Sequence, residues 1–253
     1  MLEPYIRERL NKKKILLMTH IVLGYPSFDE SFRVIEAMVE AGVDLMELQI
    51  PFSEPTADGP VIVNANQKAL NAGSNVDKCL KIAEKVTQTF DIPFLIMSYY
   101  NILFKYGVNA FAKMMKSCNL KGSIIPDLPP EEGKDYLESM EENDLDPILL
   151  FSPTTSPERM KFLASFARGF VYCVARKGVT GKSTDFTEEL AAYLSRCRNA
   201  TTLPLALGFG IKEKADVDFV RGKADIAVIG TQSISIMEKD GAAAVGNFIR
   251  SLR

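Results

Sequence analysis

The fold predicted for this sequence is of the α/β class, a single (β/α)8 TIM barrel spanning residues 1–253. Three observations predict it. Short apolar runs alternate with amphipathic helical patterns from end to end, with no doubling of strand runs. Those runs are near-continuous apolar segments rather than strict alternations, as in parallel strands covered on both faces. No Pro/Gly/Ser linker or low-complexity stretch divides the chain, and its length fits one barrel of ordinary size.

In chain order, the strand-like runs are residues 15–22, 45–50, 94–97, 123–125, 148–151, 170–174, 205–208 and 226–229. The helices between them carry start signals. Ser27 with Glu30 makes a capping-box pattern, followed by Phe32, Ile35, Met38 and Val39 on one face, and Gly42 follows as a stop. Ser74 with Asp77 repeats the signal ahead of Leu80, Ala83 and Val86. Pro157 suits a first helical turn before Met160, Leu163 and Ala167. Asp185 with Glu188 opens a further helix carrying Leu190 and Leu194. An open doubly wound sheet is the alternative, but no Gly-x-Gly-x-x-Gly follows the first strand, so its dinucleotide-binding form has no support.

Composition narrows the function. Residues are 47% hydrophobic, enough for a large core, and the net charge of −2 comes from interspersed acids and bases. That balance argues against a nucleic-acid surface or a polybasic membrane patch. The one basic run, Lys12 to Lys14, reads as a solvated helix end. No signal-peptide pattern or membrane-length apolar stretch occurs. Cysteines 79, 118, 173 and 197 are widely spaced and the chain has one histidine, so no metal site is expected. The cysteines read as small buried hydrophobes in a cytoplasmic protein.

In such barrels, chemistry sits at the C-terminal ends of strands and in the loops beyond them. The segment after the second strand, residues 47–60, is the strongest candidate. Glu47 interrupts the apolar run Leu45-Met46-Glu47-Leu48-Gln49-Ile50, and a carboxylate buried there needs a partner or a task. Buried carboxylates as a class suit general acid–base work near neutral pH. A salt-bridged or mouth-facing glutamate is the plainer reading. Asp58 lies in a Pro/Gly-rich loop and reads equally as an Asx-turn residue, and Glu54 is ambiguous in the same way. At the other side, Gly208-Phe209-Gly210 and Gly230-Thr231 follow the seventh and eighth strands, where barrels commonly bind phosphate through backbone N–H groups and a helix N-terminus.

The run Glu-Leu-x-x-Pro-Phe-Ser-x-Pro-x-Ala-Asp-Gly-Pro resembles the signature of the tryptophan synthase alpha-subunit family. Further similar segments occur in order, each at a strand end: Leu23-Gly24-Tyr25-Pro26, Ser98-Tyr99-Tyr100-Asn101, Pro126-Asp127-Leu128-Pro129, Arg176-Lys177-Gly178-Val179-Thr180-Gly181 and Gly208-Phe209-Gly210-Ile211. The resemblance implies a carbon–carbon lyase of L-tryptophan biosynthesis. It would split indole-3-glycerol phosphate by a retro-aldol reaction into indole and D-glyceraldehyde 3-phosphate. It implies Glu47 as general acid–base and Asp58 as the group that holds the indole N–H, with substrate contacts at His20, Tyr172, Thr180, Phe209, Gly210, Gly230 and Thr231. Arg176, Gly178, Thr180 and Gly181 would form a closing loop, Thr180 meeting Asp58. No cofactor is implied for this chain. Pyridoxal phosphate belongs to the expected partner, a beta subunit that receives indole within an alpha2-beta2 heterotetramer, docking on loops such as 53–56 and 125–130. Asp127 and Asn101 read as local hydrogen-bond anchors.

The sequence also departs from the family pattern near the pocket. Gln49 stands for a common glycine, Glu54 for aspartate and Thr56 for a larger apolar residue. His20 stands for tyrosine or phenylalanine, Ala175 and Lys177 for a serine and a small residue, and Thr231 for serine. A co-adjusted pocket for the same substrate is one explanation. A catalytically weakened subunit acting mainly as allosteric activator of the beta subunit is the other. His20 could sit neutral against indole or, if charged, interact with Glu47. A different sugar-phosphate enzyme on the same fold is a third reading, but no barrel lysine stands out for a Schiff base.

Overall fold

A computed structural model describes residues 1–175, 188–208 and 210–253. In order, the elements are α1 (Leu2–Leu10), β1 (Leu16–Val22), α2 (Phe28–Glu40), β2 (Leu45–Gln49), α3 (Pro60–Asn71), α4 (Val76–Thr89), β3 (Phe94–Met97), α5 (Tyr100–Tyr106) and α6 (Val108–Ser117). They continue as β4 (Gly122–Ile124), α7 (Lys134–Glu142), β5 (Asp146–Phe151), α8 (Pro157–Ala164), β6 (Val171–Val174), α9 (Glu188–Ala200), β7 (Leu205–Gly208), α10 (Lys214–Val220), β8 (Ile226–Ile229) and α11 (Thr231–Ser251). Each strand pairs in parallel with its sequence neighbours, and β8 returns to β1, so the predicted closed barrel is the observed one.

Alternation along the strands sorts the core into two clusters. Leu16, Met18, Leu45, Leu95, Ile124, Ile148, Phe170, Tyr172, Ala206, Ile226 and Val228 fill the barrel interior. Their neighbours, among them Leu17, Ile21, Met46, Leu48, Phe94 and Ile96, face the helices. On β1 and β2 the inward series ends in polar residues: Leu16, Met18, then His20, and Leu45, then Glu47 and Gln49. The carboxylate therefore faces the lumen near the strand end, by the period-two geometry of a strand. Helix α1 closes the opposite end. Its Leu2 and Ile6 join the interior cluster, and the Leu2 N–H donates to Asp146 Oδ2 at 2.6 Å.

Local signals mostly act where the sequence places them. Ser27 caps α2 by accepting from the Glu30 N–H, Gly42 has φ 91° just beyond the helix, and Ser156 caps α8 with Pro157 in its first turn. The cap of α4 is Asn75 rather than Ser74. Asn75 accepts from Lys78 N–H, whereas Ser74 is buried and its N–H bonds the Ala69 carbonyl that ends α3. Asp185 lies outside the described residues. The run Lys12 to Lys14 is not wholly a solvated helix end, because Lys13 pairs with buried Asp44. All four cysteines are buried and free. Among the described residues, no helix is long and apolar enough to cross a membrane.

Candidate active site

A cavity of about 280 Å³ opens at the C-terminal ends of the strands. Glu47, Asp58 and His20 line it on the β1–β2 side, and Gly210, Gly230 and Thr231 line it at β7 and β8, with Tyr172 between. Its walls are apolar, from Ile62, Met97, Ile124, Leu150 and Val228. Among the predicted site residues, Thr180, Phe209, Arg176, Gly178 and Gly181 lie outside the described residues. Glu54 and Thr56 are exposed and do not line the cavity.

Each carboxylate is held by one oxygen. His20 Nδ1 lies 2.9 Å from Glu47 Oε1, and both side chains are buried. Parallel pairing sets this contact, since His20 and Glu47 are partners in the β1–β2 register. Glu47 Oε2 has no hydrogen-bond partner among the described residues. Asp58 Oδ2 accepts from Gln49 Nε2 at 2.7 Å and from the Tyr99 hydroxyl at 2.9 Å, while no described residue bonds Oδ1. Tyr99 is itself placed by the Ala57 N–H, 3.1 Å from its oxygen, and by stacking on Phe52.

Burial and neighbouring charges shift the groups around Glu47. Burial raises Asp58 above the ordinary carboxylate range, against the smaller lowering by the His20 charge and by the bonds from Gln49 and Tyr99. For His20, burial alone would lower the pKa. The hydrogen bond and charge of Glu47, with the Asp58 charge, outweigh it and raise the imidazole above its usual value. Burial and the Asp58 charge push the Tyr99 phenol up, so it remains a donor. Tyr172 is raised by burial and then by Glu47 and Asp58.

Gly208 is required by Tyr172. A Cβ at that position would lie 2.2 Å from the Tyr172 ring, too close for any rotamer adjustment short of moving the ring. Gly208→Ala is therefore expected to destabilise the chain by about 1–3 kcal/mol through overpacking, seen as a lower thermal midpoint. An unchanged midpoint would show that Tyr172 yields without penalty.

At the far end, the first turn of α11 begins at Gly230 and Thr231, so its unpaired N–H groups face the cavity. Gly210 has φ 117°, a conformation that suits glycine. Lys212 and Gln232 also line this end, and sequence reasoning missed both. Lys212 is exposed and forms no ion pair with a described residue. Gln49 and Tyr99 were not assigned as Asp58 partners either. No local pattern marks them, because they meet Asp58 only through the loop from β2 to α3 folding over the barrel mouth. Asp127 is an anchor as expected, accepting from Tyr100 N–H at 2.9 Å; Asn101 is exposed and bonds no described residue.

Comparison with known proteins gives a consistent family. A family model described as tryptophan synthase alpha chain matches residues 6–250. The tryptophan synthase alpha chain of Desulforapulum autotrophicum is 65% identical over 252 residues, covering 100% of both chains. That of Syntrophotalea carbinolica is 60% identical over 253 residues, again covering 100% of both. A solved Mycobacterium tuberculosis tryptophan synthase superposes with a TM-score of 0.92 at 30% identity, covering 99% of this chain and 96% of that one. The tryptophan synthase subunit alpha of Legionella pneumophila str. Paris gives 0.89 at 31% identity, covering 99% and 96%.

Proposed function

The chain belongs to the tryptophan synthase alpha chain family, and from that premise we propose that its pocket splits indole-3-glycerol phosphate into indole and D-glyceraldehyde 3-phosphate. The observation that carries this reading is one cavity lined both by two differently held carboxylates and by a helix N-terminus. The substrate has matching ends, an indole and a phosphate.

The phosphate sits against the Gly230–Thr231 turn and Gly210, where N–H groups and the helix dipole favour an anion, and Lys212 adds a cation. The apolar walls take the indole ring, whose N–H donates to Asp58 Oδ1. Carbon 3 of the ring must gain a proton, and the neighbouring side-chain hydroxyl must lose one. Glu47 Oε2 does both. The hydroxyl proton ends on carbon 3 as the bond to the side chain breaks. The hydroxyl oxygen becomes the aldehyde carbonyl, and the bonding pair returns to the ring. Asp58 stabilises the positive charge that develops on the ring nitrogen. Acid–base groups and hydrogen bonds supply every step, so we assign this chain no cofactor. Pyridoxal phosphate belongs with the beta partner.

The family implies a beta-subunit partner, and we propose an alpha2-beta2 assembly in the cytoplasm. Phe104, 69% exposed on α5 beside Tyr100, is an apolar anchor close to the predicted docking loop 125–130. Phe104→Ala is expected to weaken association with the matching beta chain about tenfold or more, measured by titration calorimetry. Unchanged affinity would place the interface elsewhere.

The test of the activity is indole release from indole-3-glycerol phosphate, by the chain alone and with the beta chain. Release enhanced by the partner supports the lyase. No release, with beta activity still stimulated, would favour a purely regulatory subunit.

A further inference from the structure

His20 is the only histidine in the chain, and it is 4% exposed in the same cavity as the two carboxylates. Its Nδ1 meets Glu47 Oε1 at 2.9 Å. A carboxylate only accepts, so Nδ1 carries the hydrogen of this bond. On its other side His20 faces Gly230, where an added Cβ would lie 3.5 Å from His20 Cβ and 3.9 Å from Cγ, in ordinary contact. Glu47 Oε2 and His20 Nε2 are both buried without a partner among the described residues. The pair therefore has one engaged edge and one edge left for substrate.

We propose that His20 is a positioning residue for the lyase reaction: its Nδ1–H holds Glu47 Oε1, so that Oε2 alone meets the substrate. The proposal rests on the lyase reading above. A glutamate has three rotatable bonds, and His20 is the described residue that holds its carboxylate. The single charge-assisted bond selects one rotamer. It also keeps the proton on one oxygen. With Oε1 occupied, the proton taken from the substrate hydroxyl enters on Oε2 and leaves from Oε2 to carbon 3, without the carboxyl turning over.

Several groups set the charge of His20. Burial lowers its pKa, and the hydrogen bond and charge of Glu47 of β2, with the charge of Asp58 of the following loop, outweigh that and raise it. Tyr172 of β6 lines the same cavity but stays a neutral phenol. Val228 of β8 and Gly230 just beyond it do not titrate, and Tyr25, which lines a second small cavity with His20, is a phenol raised by burial and stays neutral. The pKa of the imidazole is thus held above the usual histidine value, and the cation is the state in which its bond to Glu47 is strongest. As pH rises through this raised pKa the cation is lost and kcat falls.

Kinetics of indole release against pH for wild type, His20→Asn and His20→Phe test this. Asparagine keeps an N–H near the Nδ1 position and does not titrate. Phenylalanine keeps the ring and removes the donor. His20→Phe is expected to lower kcat by up to about 100-fold with KM little changed. His20→Asn, a neutral donor at every pH, should give a kcat between those of wild type and His20→Phe and lose the alkaline fall. If His20→Phe does not fold, as judged by circular dichroism, the pH profile of His20→Asn carries the test. Equal pH profiles in wild type and His20→Asn would overturn the proposal, as would a His20→Phe effect confined to KM. Wild type that releases no indole at any pH would instead overturn the lyase reading, and this proposal with it.

Discussion

Glu47→Gln is expected to reduce indole release by about 10²–10⁴-fold in kcat, the usual range for a lost general acid–base. The substitution is nearly isosteric. Its amide oxygen can still accept from His20 Nδ1, replacing the 2.9 Å contact of Oε1, so the side chain should keep its place. What changes is the other atom. An amide NH2 stands where Oε2 stood, and it neither accepts the hydroxyl proton nor delivers one to carbon 3. The proposed phosphate contacts at Gly210, Gly230 and Thr231 do not use the Glu47 side chain and remain. The loss should therefore fall on kcat rather than KM, the pattern of an interaction used only in the transition state. The measurement is steady-state indole formation with a thermal melt as a folding control. Activity within about threefold of wild type would remove Glu47 from the chemistry.

A comparably large effect, on stability rather than rate, is expected at Asp44, which is 1% exposed. Its carboxylate accepts the Leu17 N–H at 3.0 Å and pairs with Lys13 and with Arg253, the latter at 3.0 Å. The Tyr5 hydroxyl donates to its backbone carbonyl at 2.9 Å. One residue thus ties α1 and the segment after it, β1, and the C-terminal arginine to the start of β2. Asp44→Ala leaves a buried N–H unpaired and two cations without their shared anion. Breaking a buried pair by removing one partner costs about 3–5 kcal/mol. Lys13 and Arg253 are about a third exposed and can turn to water, so about 2–4 kcal/mol is expected here, roughly a 5–15 °C fall in melting temperature. Asp44→Asn, which keeps an acceptor for Leu17, should lose less. Activity at 25 °C should survive, because the cluster lies at the start of β2, away from the cavity-lining strand ends. A melting temperature within about 2 °C of wild type would show that the cluster adds nothing to stability.

The barrel itself was legible in the amino-acid order, because its signals are local. Strand runs such as 94–97, 205–208 and 226–229 coincide with β3, β7 and β8, since apolar segments of that length must be buried on both faces. Ser27 and Pro157 act where they stand because capping needs only residues three positions apart. Glu47 and Asp58 could be picked out for the same reason: a carboxylate in an apolar run and an aspartate in a Pro/Gly loop are conspicuous within a few residues. The cap at Asn75 instead of Ser74 shows the limit, since the preceding helix takes Ser74 into its own ending.

Which atoms meet was decided by closure of the sheet. His20 reaches Glu47 across 27 positions only because β1 and β2 pair in one particular register, and a slip of β2 by one residue would turn Glu47 away from the lumen. Tyr99 reaches Asp58 across 41 positions, and Arg253 reaches Asp44 across 209. The sequence by itself determined the alternation of strands and helices and the presence of two carboxylates and a glycine-bearing turn at strand ends. Only the tertiary structure decided that each carboxylate is anchored by one oxygen, the other having no hydrogen-bond partner among the described residues. That choice depends on register and barrel closure, and neither is encoded within the few residues over which a sequence pattern can be read.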